Sequence, residues 1–489
     1  MKLTSGLVVF IASAGGIASA QPTYHVTDLG TLGGTSSYVG GMNNSCQVVG
    51  WSNTAGGSVH AFLYSNGVMT DLGTLGGSTS GANAINDAGL IVGDAYLPGD
   101  VAYHAYLRSG GIMKDLGTLG GTNSVALGVN SAGQVVGQSW LPGTEVQSNG
   151  LAFLYSGGVM TSLGTLPGGS GSKAWHIDDL GRAFGPSYTA SGAYHASSFF
   201  GGAVTDLGTL GGVTSDVYSS DNSGRSVGAS YLPDGDYHAC VYAGGTITDL
   251  GTVWGTCSIA WGINSSGQIV GEGNEGDCCC WDGFLYAGGV MTDLNDLLDE
   301  DSWAYWIEVG TAIADNGTIA ATGYAPDGNE HALLLTPYAS VSGKVTLQDF
   351  VGDPTQQSVC FELLSPGTTT VLETDWVYLN ADETYQFSTG LVGKFDVEAQ
   401  GQTWLSKRIS NVTLGVGGVV TGLSFSLVNG DVNGDDVIDL ADLVEIAAAW
   451  RSTPDSDNWD PCADLNGDGV VNLADWMIVA KNWRKSGDP

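Results

Sequence analysis

A short motif, Asp-Leu-Gly, returns along the first two-thirds of this sequence at almost constant intervals. Its seven copies, of which two are degenerate, begin at Asp28, Asp71, Asp115, Ser162, Asp206, Asp249 and Asp293. The successive spacings are 43, 44, 47, 44, 43 and 44 residues. A repeat of this length indicates one supersecondary unit stacked many times, because a single unit cannot bury its own apolar face.

Each unit contains four short segments that are typical of β-strands. His60–Tyr64 is followed by the pair Asn66-Gly67, which allows the positive φ angles of a two-residue hairpin. The next segment ends in DLGTLGG, a third carries the turn-forming Asn86–Gly89, and the fourth is the apolar Leu90–Gly93. Four strands at this period predict the blade of a β-propeller.

The two ends of the repeat array predict how the propeller closes. The chain enters the array at Tyr24–Gly30, a second-strand segment, and leaves it after His331–Pro337, a first-strand segment. The last strand therefore completes the blade begun by the N-terminus, which leaves no free sheet edge. We predict that residues 22–338 form a seven-bladed propeller, with an open β-solenoid as the alternative.

At these residues the chain resembles the HAF-repeat family of extracellular bacterial proteins, named for its His-Ala-Phe motif. The resemblance implies an exported repeat protein and brings no established catalytic residues. Because the recurring histidines occupy one repeat position around a ring, they cannot converge on one ion and are predicted to be structural. The Asp of each DLG motif is expected to cap its own turn. The histidines are His60, His104, His195, His238 and His331.

Strand alternation predicts that the longer, variable loops lie together on one face of the propeller. These loops are Leu141–Gly150, Leu232–Tyr237 and Glu272–Trp281. Variable loops on a rigid scaffold often carry binding function. Tryptophans on or near them could stack on sugar rings or could pack between blades, and both interpretations stay open. They are Trp51, Trp140, Trp175, Trp254 and Trp281.

Composition and the N-terminus bear on where the protein works. Lys2, the apolar run Leu7–Ala12 and the cleavage-type sequence Ala18–Ala20 predict a signal peptide over residues 1–20 and an extracellular, secreted protein, free or held at the cell surface. The formal net charge of −36 argues against nucleic acid and anionic lipid as partners, and no apolar run is long enough for membrane insertion. Five of the eight cysteines fall between Cys240 and Cys280, and a disulfide from Cys257 to one of Cys278–Cys280 is geometrically feasible.

After Pro337 the repeat stops and a different β-pattern begins. Residues 339–428 hold about seven short alternating segments, among them Val341–Val345 and Phe395–Ala399. They predict a small β-sandwich. This region resembles the Ig-like and carboxypeptidase-regulatory-like modules of secreted bacterial proteins, and it is interpreted as a spacer rather than as a ligand-binding unit.

Two calcium-type loops dominate the C-terminal region, residues 429–489. Calcium takes six to eight oxygen ligands, which a 12-residue loop supplies from positions 1, 3, 5, 7, 9 and 12. The predicted ligands, with the position-7 valines acting through their carbonyls, are Asp431, Asn433, Asp435, Val437, Asp439 and Asp442 in loop one, and Asp464, Asn466, Asp468, Val470, Asn472 and Asp475 in loop two. The sharp turn at position 6 has Gly469 in loop two but Asp436 in loop one, which predicts a strained or weaker first site.

Each loop is followed by a segment with helical spacing, Leu440–Arg451 and Leu473–Arg484, and neither is preceded by one. This pattern resembles the type I dockerin, a small α-helical calcium module that binds cohesin domains. In that family loop positions 10 and 11 help to select the partner; here they are Leu440 and Ala441, and Leu473 and Ala474, instead of the familiar Ser-Thr. The resemblance implies two calcium ions and a cohesin-like partner. A purely structural calcium pair is the alternative.

Taken together, the sequence predicts a mostly β, non-catalytic binding or scaffold protein that attaches to a partner through calcium. The alternative is a polysaccharide-active enzyme or a carbohydrate-binding propeller that carries a dockerin. Glycosidases need two carboxyl groups across a cleft, and the sequence offers non-repeating acids but cannot place two of them together. These acids are Glu145, Glu272, Glu275, Asp277 and Glu308. No nucleophile elbow, zincin motif or P-loop is present, so no catalytic residue is predicted.

Overall fold

The computed structural model describes residues 22–143, 150–274 and 281–488. The predicted signal peptide, Glu145, Glu275, Asp277 and the Cys278–Cys280 run lie outside these ranges. Seven four-stranded antiparallel sheets follow one another from Tyr24 to Pro337. They are the seven blades of the predicted propeller, numbered here by their order along the chain.

Every blade has the same strand order from the central channel outward, and strands are numbered along the chain. The strands lining the channel are β2 Gly33–Met42, β6 Ser80–Ile85, β10 Ser124–Val129, β14 His176–Ile177, β18 Ser215–Ser220, β22 Ser258–Ile263 and β26 Trp306–Ile313. The second strands are β3 Val48–Thr54, β7 Ile91–Tyr96, β11 Val135–Ser139, β15 Ala183–Tyr188, β19 Ser226–Tyr231, β23 Ile269–Asn274 and β27 Ile319–Tyr324. The third strands are β4 Val59–Ser65, β8 Tyr103–Ser109, β12 Leu151–Ser156, β16 Tyr194–Phe200, β20 Tyr237–Ala243, β24 Trp281–Ala287 and β28 Glu330–Pro337. The outermost strands are β5 Val68–Asp71, β9 Ile112–Asp115, β13 Val159–Gly164, β17 Ala203–Gly208, β21 Thr246–Gly251, β25 Val290–Asp293 and β1 Tyr24–Asp28.

The ring closes through its first strand, as predicted. β1 pairs antiparallel with β28, with Tyr24 opposite Pro337, so the N-terminal strand becomes the outer edge of the seventh blade. Tyr24 is fully buried in the core of that blade. The propeller is therefore a closed ring and not an open solenoid, because neighbouring blades make apolar contacts and the first strand pairs with the last.

The recurring polar residues of the repeat form a structural lattice. His60 Nδ1 lies 2.8 Å from Asp71 Oδ2, and Asp71 Oδ1 accepts the Gly73 N–H at 2.7 Å. A serine then ties neighbouring blades: Ser80 Oγ donates to the Gly73 carbonyl and accepts the Ala61 N–H. The predicted structural role of the histidines and the capping role of the DLG aspartates therefore hold. The other His–Asp pairs are His104–Asp115, His195–Asp206, His238–Asp249 and His331–Asp28.

Two further sheets follow the propeller and pack face to face as a sandwich. One sheet contains β29 Ala339–Leu347, β32 Thr384–Thr389, β35 Val419–Val420 and β36 Phe425–Leu427, and the other contains β30 Ser358–Leu364, β31 Val371–Tyr378, β33 Gly393–Gly401 and β34 Lys407–Leu414. The core includes Phe361, whose ring stacks on Tyr385 at 4.2 Å between centroids. Three short 3₁₀ turns occur in the described chain at Asn295–Leu297, Glu300–Ser302 and Pro354–Gln356.

The C-terminal region has two helices, α1 Leu440–Ala448 and α2 Leu473–Asn482. Both are shorter than the predicted segments, which extended to Arg451 and Arg484. The backbone leaves the helical conformation before those residues: the C-cap Trp483 of α2 has ψ 131°, and left-handed residues follow both helices, Arg451 with φ +64° and Arg484 with φ +65°. No helix in the described ranges is long and apolar enough to cross a membrane.

Candidate calcium and docking site

Loop one wraps its backbone around its own acidic side chains. Asp431 accepts the N–H groups of Asp435 and Asp436 at 3.1 and 2.9 Å. Asp442 accepts the N–H groups of Val432 and Asp439, both at 2.7 Å. These bonds bring loop positions 1 and 12 to the same side of the turn, although they lie at opposite ends of the loop.

Loop two repeats this arrangement position by position. Asp464 accepts the N–H groups of Asp468 and Gly469 at 3.2 and 2.8 Å, as Asp431 does in loop one. Asp475 accepts the N–H groups of Asn466 and Asn472 at 3.2 and 2.8 Å. The two loops are therefore equivalent in backbone course as well as in sequence.

The remaining predicted ligand residues occupy matching places. Asn433 and Asn466 each donate through Nδ2 to the aspartate two residues later, at 3.0 Å in both loops. Those aspartates, Asp435 and Asp468, accept the N–H of the position-7 valines, Val437 and Val470. Position 9 has a second task, since Asp439 and Asn472 are the N-caps of α1 and α2 and close a capping box with position 12.

The loop carboxylates are buried more deeply than ordinary acidic side chains. Asp431, Asp442 and Asp475 have no exposed surface. Burial raises the pKa of Asp431 to about 6, and the neighbouring Asp442 and Asp435 add to this effect. Burial likewise raises the pKa of Asp464 and Asp475. Within the described residues none of these acids has an ion pair with Lys, Arg or His, so their negative charge lacks a protein counter-charge.

The donors fit a hard cation by their chemistry. All six positions in each loop present oxygen, and buried carboxylates without a counter-charge are stabilised by a divalent cation. Across the described chain, however, no three His, Cys, Asp or Glu side chains are already gathered around one point. The loop acids instead point at backbone N–H groups, so a bound ion would depend on amide and carbonyl oxygens as well as on side-chain rotation.

Position 6 of loop one departs from the calcium-loop pattern for a reason that lies outside the loop. Asp436 adopts φ +64°, the left-handed conformation that Gly469 adopts in loop two with φ +85°. Its carboxylate accepts the Ser406 N–H at 2.7 Å and the Ser406 hydroxyl at 2.8 Å. The predicted backbone strain is present, and two hydrogen bonds to the sandwich offset it.

The C-terminal tail completes this junction. Val437 bridges to Ser486, the Gly487 N–H donates to the Asp436 carbonyl, and the Asp488 N–H donates to the Ser406 carbonyl. Lys407 Nζ forms an ion pair with Asp488 at 2.6 Å. We call residues 485–488 the tail strap, because they bind loop one and the sandwich at once.

Loop two also contacts the sandwich. The Val351 N–H donates to the Asn466 carbonyl at 2.8 Å, and Lys481 Nζ on α2 pairs with Asp349 at 2.7 Å. Leu405, which follows β33, is buried in the same apolar core as Ile446 of α1 and Val479 of α2. The sandwich therefore contributes to the core of the calcium-loop region and is more than a detached spacer.

Each helix leaves an apolar surface in solvent. The predicted partner residues Leu440 and Leu473 are 66% and 61% exposed, and Ala441 and Ala474 are exposed beside them. Val444 and Met477, one turn further along, are 58% and 61% exposed. Sequence reasoning missed this last pair, although its i+4 spacing from the leucines was a readable signal. We call Leu440, Ala441 and Val444 patch one, and Leu473, Ala474 and Met477 patch two.

Comparison with known proteins agrees with this region. Residues 429–483 match the family described as "Dockerin type I domain". A comparison with curated proteins found no match.

Solved structures give partial similarities. A type II cohesin–X–dockerin complex from Acetivibrio cellulolyticus is 25% identical, with 30% of this chain and 97% of that chain covered and a TM-score of 0.26. The β-propeller domain of the Trilobed protease from Pyrococcus furiosus is 10% identical, with 52% and 79% covered and a TM-score of 0.34. A puromycin-hydrolysing peptidase from Mycobacterium tuberculosis is 11% identical, with 65% and 55% covered and a TM-score of 0.40.

Proposed function

We propose that this chain is a secreted, non-catalytic binding protein that attaches to a cohesin-like partner through its calcium-dependent dockerin region. The observation that carries the proposal is the equivalence of the two loops, each with buried carboxylates that lack a protein counter-charge. The dockerin match over residues 429–483 and the HAF-repeat resemblance support the same reading. Residues 22–338, 339–428 and 429–489 are the propeller, the sandwich and the docking unit in this proposal.

Each loop is proposed to hold one calcium ion. Asp431, Asn433, Asp435, the Val437 carbonyl, Asp439 and Asp442 would supply the oxygens of loop one, and the six equivalent residues would supply those of loop two. Bound calcium would neutralise carboxylates that otherwise repel one another in a region with thirteen acidic and four basic side chains. The loop residues themselves cap both helices, and in this way they fix the positions of patch one and patch two relative to each other.

The apolar patches are the proposed contact with the partner. Exposed apolar side chains that lie next to one another mark surfaces for contact with another protein. The two patches have the same positions in each helix, so each presents a similar surface of leucine, alanine and one further apolar residue. We propose that the cohesin-like partner covers one patch or both.

Calcium titration of the full-length protein tests the first half of the proposal. Isothermal titration calorimetry should give two ions per chain for the wild type and one for Asp431→Ala or Asp464→Ala. Asp457→Ala is the matched control, since Asp457 is an exposed acid between the loops, and it should leave the stoichiometry at two. No heat of calcium binding at millimolar concentration would contradict the proposal.

Binding to a panel of recombinant cohesins tests the second half. Calcium-dependent binding to at least one member is expected, and it should be lost in the double variant Leu440→Asp/Leu473→Asp. Val68→Asp, which places the same charge at an exposed apolar site of the propeller, should bind as the wild type does. Calcium uptake without cohesin binding would favour the structural calcium pair instead.

A further inference from the structure

The residues that line the central channel of the propeller do not follow the sequence repeat. In six of the seven blades the inter-blade serine lies on the innermost strand or, for Ser172, shortly before it, and the residue three positions later lines the channel. That residue is different in almost every blade. The six are Gly40, Asn83, Leu127, Trp175, Tyr218 and Trp261, and in the seventh blade Glu308 lines the channel at a register shift of β26. Positions shared by all blades build the ring, whereas these differing side chains shape one asymmetric cavity of about 880 Å³.

Three consecutive blades give the cavity an aromatic wall. The Trp175 and Tyr218 rings lie 5.7 Å apart between centroids, and the Tyr218 and Trp261 rings lie 4.3 Å apart. In the first blade, Tyr38 and Trp51 stack at 5.9 Å with an interplanar angle of 20° and also line the channel. Aromatic side chains that line a cavity are typical of ligand sites.

Carboxyl groups lie between these two aromatic groups. Glu308 is hydrogen-bonded to Glu330, and Tyr38 donates its hydroxyl proton to Glu330 at 2.5 Å. Glu272 accepts the Trp261 indole N–H at 3.2 Å. All three glutamates line the channel, and none of them forms an ion pair with Lys or Arg within the described ranges.

We propose that this end of the channel binds a neutral saccharide, with the aromatic rings against the C–H face of a sugar ring and the glutamates bonded to its hydroxyl groups. The cavity volume falls in the range of about 300–1,000 Å³ found for ligand pockets. The lining residues Trp51, Glu272, Trp281 and Glu330 belong to β3, β23, β24 and β28, and one of the longer loops joins β23 to β24. The site is independent of calcium and of docking.

An organic cation is the competing ligand, since aromatic rings and carboxylates also bind ammonium groups. The charge beside the aromatic rings favours the saccharide. Lys173 Nζ already lies 4.0 Å from the centre of the Trp175 ring, and its charge repels a second cation there.

The direct contact between the carboxyl groups of Glu308 and Glu330 argues against a glycosidase pair at these two residues. Retaining enzymes hold their two carboxyl groups about 5 Å apart and inverting enzymes hold them further apart, whereas hydrogen-bonded carboxyls are in direct contact. Of the non-repeating acids that could have suggested catalysis, Glu272 and Glu308 lie within the described residues, and in this proposal they are hydrogen-bonding groups of a binding site.

Isothermal titration of the full-length protein with neutral hexasaccharides tests the proposal. The probes are cellohexaose, xylohexaose, mannohexaose, laminarihexaose and chitohexaose, with choline and spermidine as cations. At least one saccharide should bind with a dissociation constant below about a millimolar, and Trp261→Ala and Glu330→Gln should each weaken it at least tenfold. Trp376→Ala removes an exposed tryptophan of the sandwich and should have no effect.

Further variants distinguish loss of the saccharide site from a folding defect or a docking defect. If Trp261→Ala does not fold, Trp261→Phe replaces it as the test, because it keeps an aromatic ring in the channel; it should fold and retain part of the saccharide affinity. Asp431→Ala should bind the saccharide as the wild type does, because the channel does not depend on the calcium loops. Saccharide binding with slow turnover would support the channel site if both are lost together in Glu330→Gln. Binding of the cations alone, binding of none of the probes, or saccharide binding unchanged in every channel variant would overturn the proposal.

Discussion

The junction at Asp436 permits a quantitative prediction for the variant Asp436→Gly. Glycine adopts φ +64° without strain, so the substitution relieves about 1 kcal/mol of backbone strain. It also removes two hydrogen bonds between a carboxylate and Ser406, at 2.7 and 2.8 Å. Hydrogen bonds to charged groups contribute about 1.5–3 kcal/mol each, and the lower figure suits a half-buried acid. The net expected loss is about 2 kcal/mol in the local stability of loop one and the tail strap.

Limited trypsin digestion of the full-length protein in calcium measures this loss. Arg484 and Lys485 are cleavage sites at the start of the tail strap, and cleavage there reports how often the strap opens. A loss of about 2 kcal/mol corresponds to cleavage roughly 30 times faster. The matched variant Ser406→Ala should give a smaller increase, because the Ser406 N–H still donates to Asp436.

The double variant Asp436→Gly/Ser406→Ala decides whether the junction acts as described. Its effect should be close to that of Asp436→Gly alone, since the Ser406 hydroxyl has already lost its nearer acceptor and keeps only the long bond to the Asp488 carbonyl at 3.4 Å. Strictly additive effects of the two substitutions would refute the proposed interaction between Asp436 and the Ser406 hydroxyl. Slower cleavage in Asp436→Gly than in the wild type would show that strain outweighs the two bonds.

Three further outcomes are expected. Ser124→Ala leaves the Ala105 N–H and the Gly117 carbonyl without their buried partner, so thermal unfolding of the propeller should show a loss of about 2–3 kcal/mol. Removal of residues 485–489 should lower the calcium affinity of loop one more than that of loop two, which calorimetry resolves as a change in one of two sites. For pH, burial and the neighbouring Glu330 raise the pKa of Glu308 from its ordinary 4.5 to about 7. Because the pKa of Glu308 is higher in the folded state than in the unfolded state, the free energy of unfolding should fall as pH rises from about 4.5 to about 7. The expected fall is about 1 kcal/mol, since solvent screens this half-buried group. A series of urea-unfolding experiments should show the fall in the wild type and not in Glu308→Gln.

The propeller was readable from sequence because the same physical signal occurs seven times. Any one hairpin signal such as Asn66-Gly67 is weak, but its recurrence at a fixed period excludes most other folds. The loop ligands were readable for a similar reason, since two loops confirm each other's spacing. The ends of the two helices were harder to predict from sequence, because arginine at positions 451 and 484 does not signal a left-handed backbone.

Contacts between distant segments could not be read from sequence. Asp436 looked like a defect in a calcium loop, and its partner Ser406 lies in a different part of the fold. The same holds for Leu405, which belongs to the sandwich by sequence and to the calcium-loop core by contact. The channel site was also hidden, because the approach of Glu308 to Glu330 depends on a register shift in β26 that no local pattern indicates.

The pairing of β1 with β28 has a consequence for the order in which the molecule can be built. Among the strands of the ring, the first along the chain has no partner until the last blade has been synthesised, because Tyr24 pairs with Pro337. Contacts so far apart in the chain are slow to form, and every shorter nascent chain exposes two unpaired sheet edges. Once made, the same pairing joins the beginning and the end of the ring, so the propeller cannot unravel from either terminus without first giving up its most distant contact.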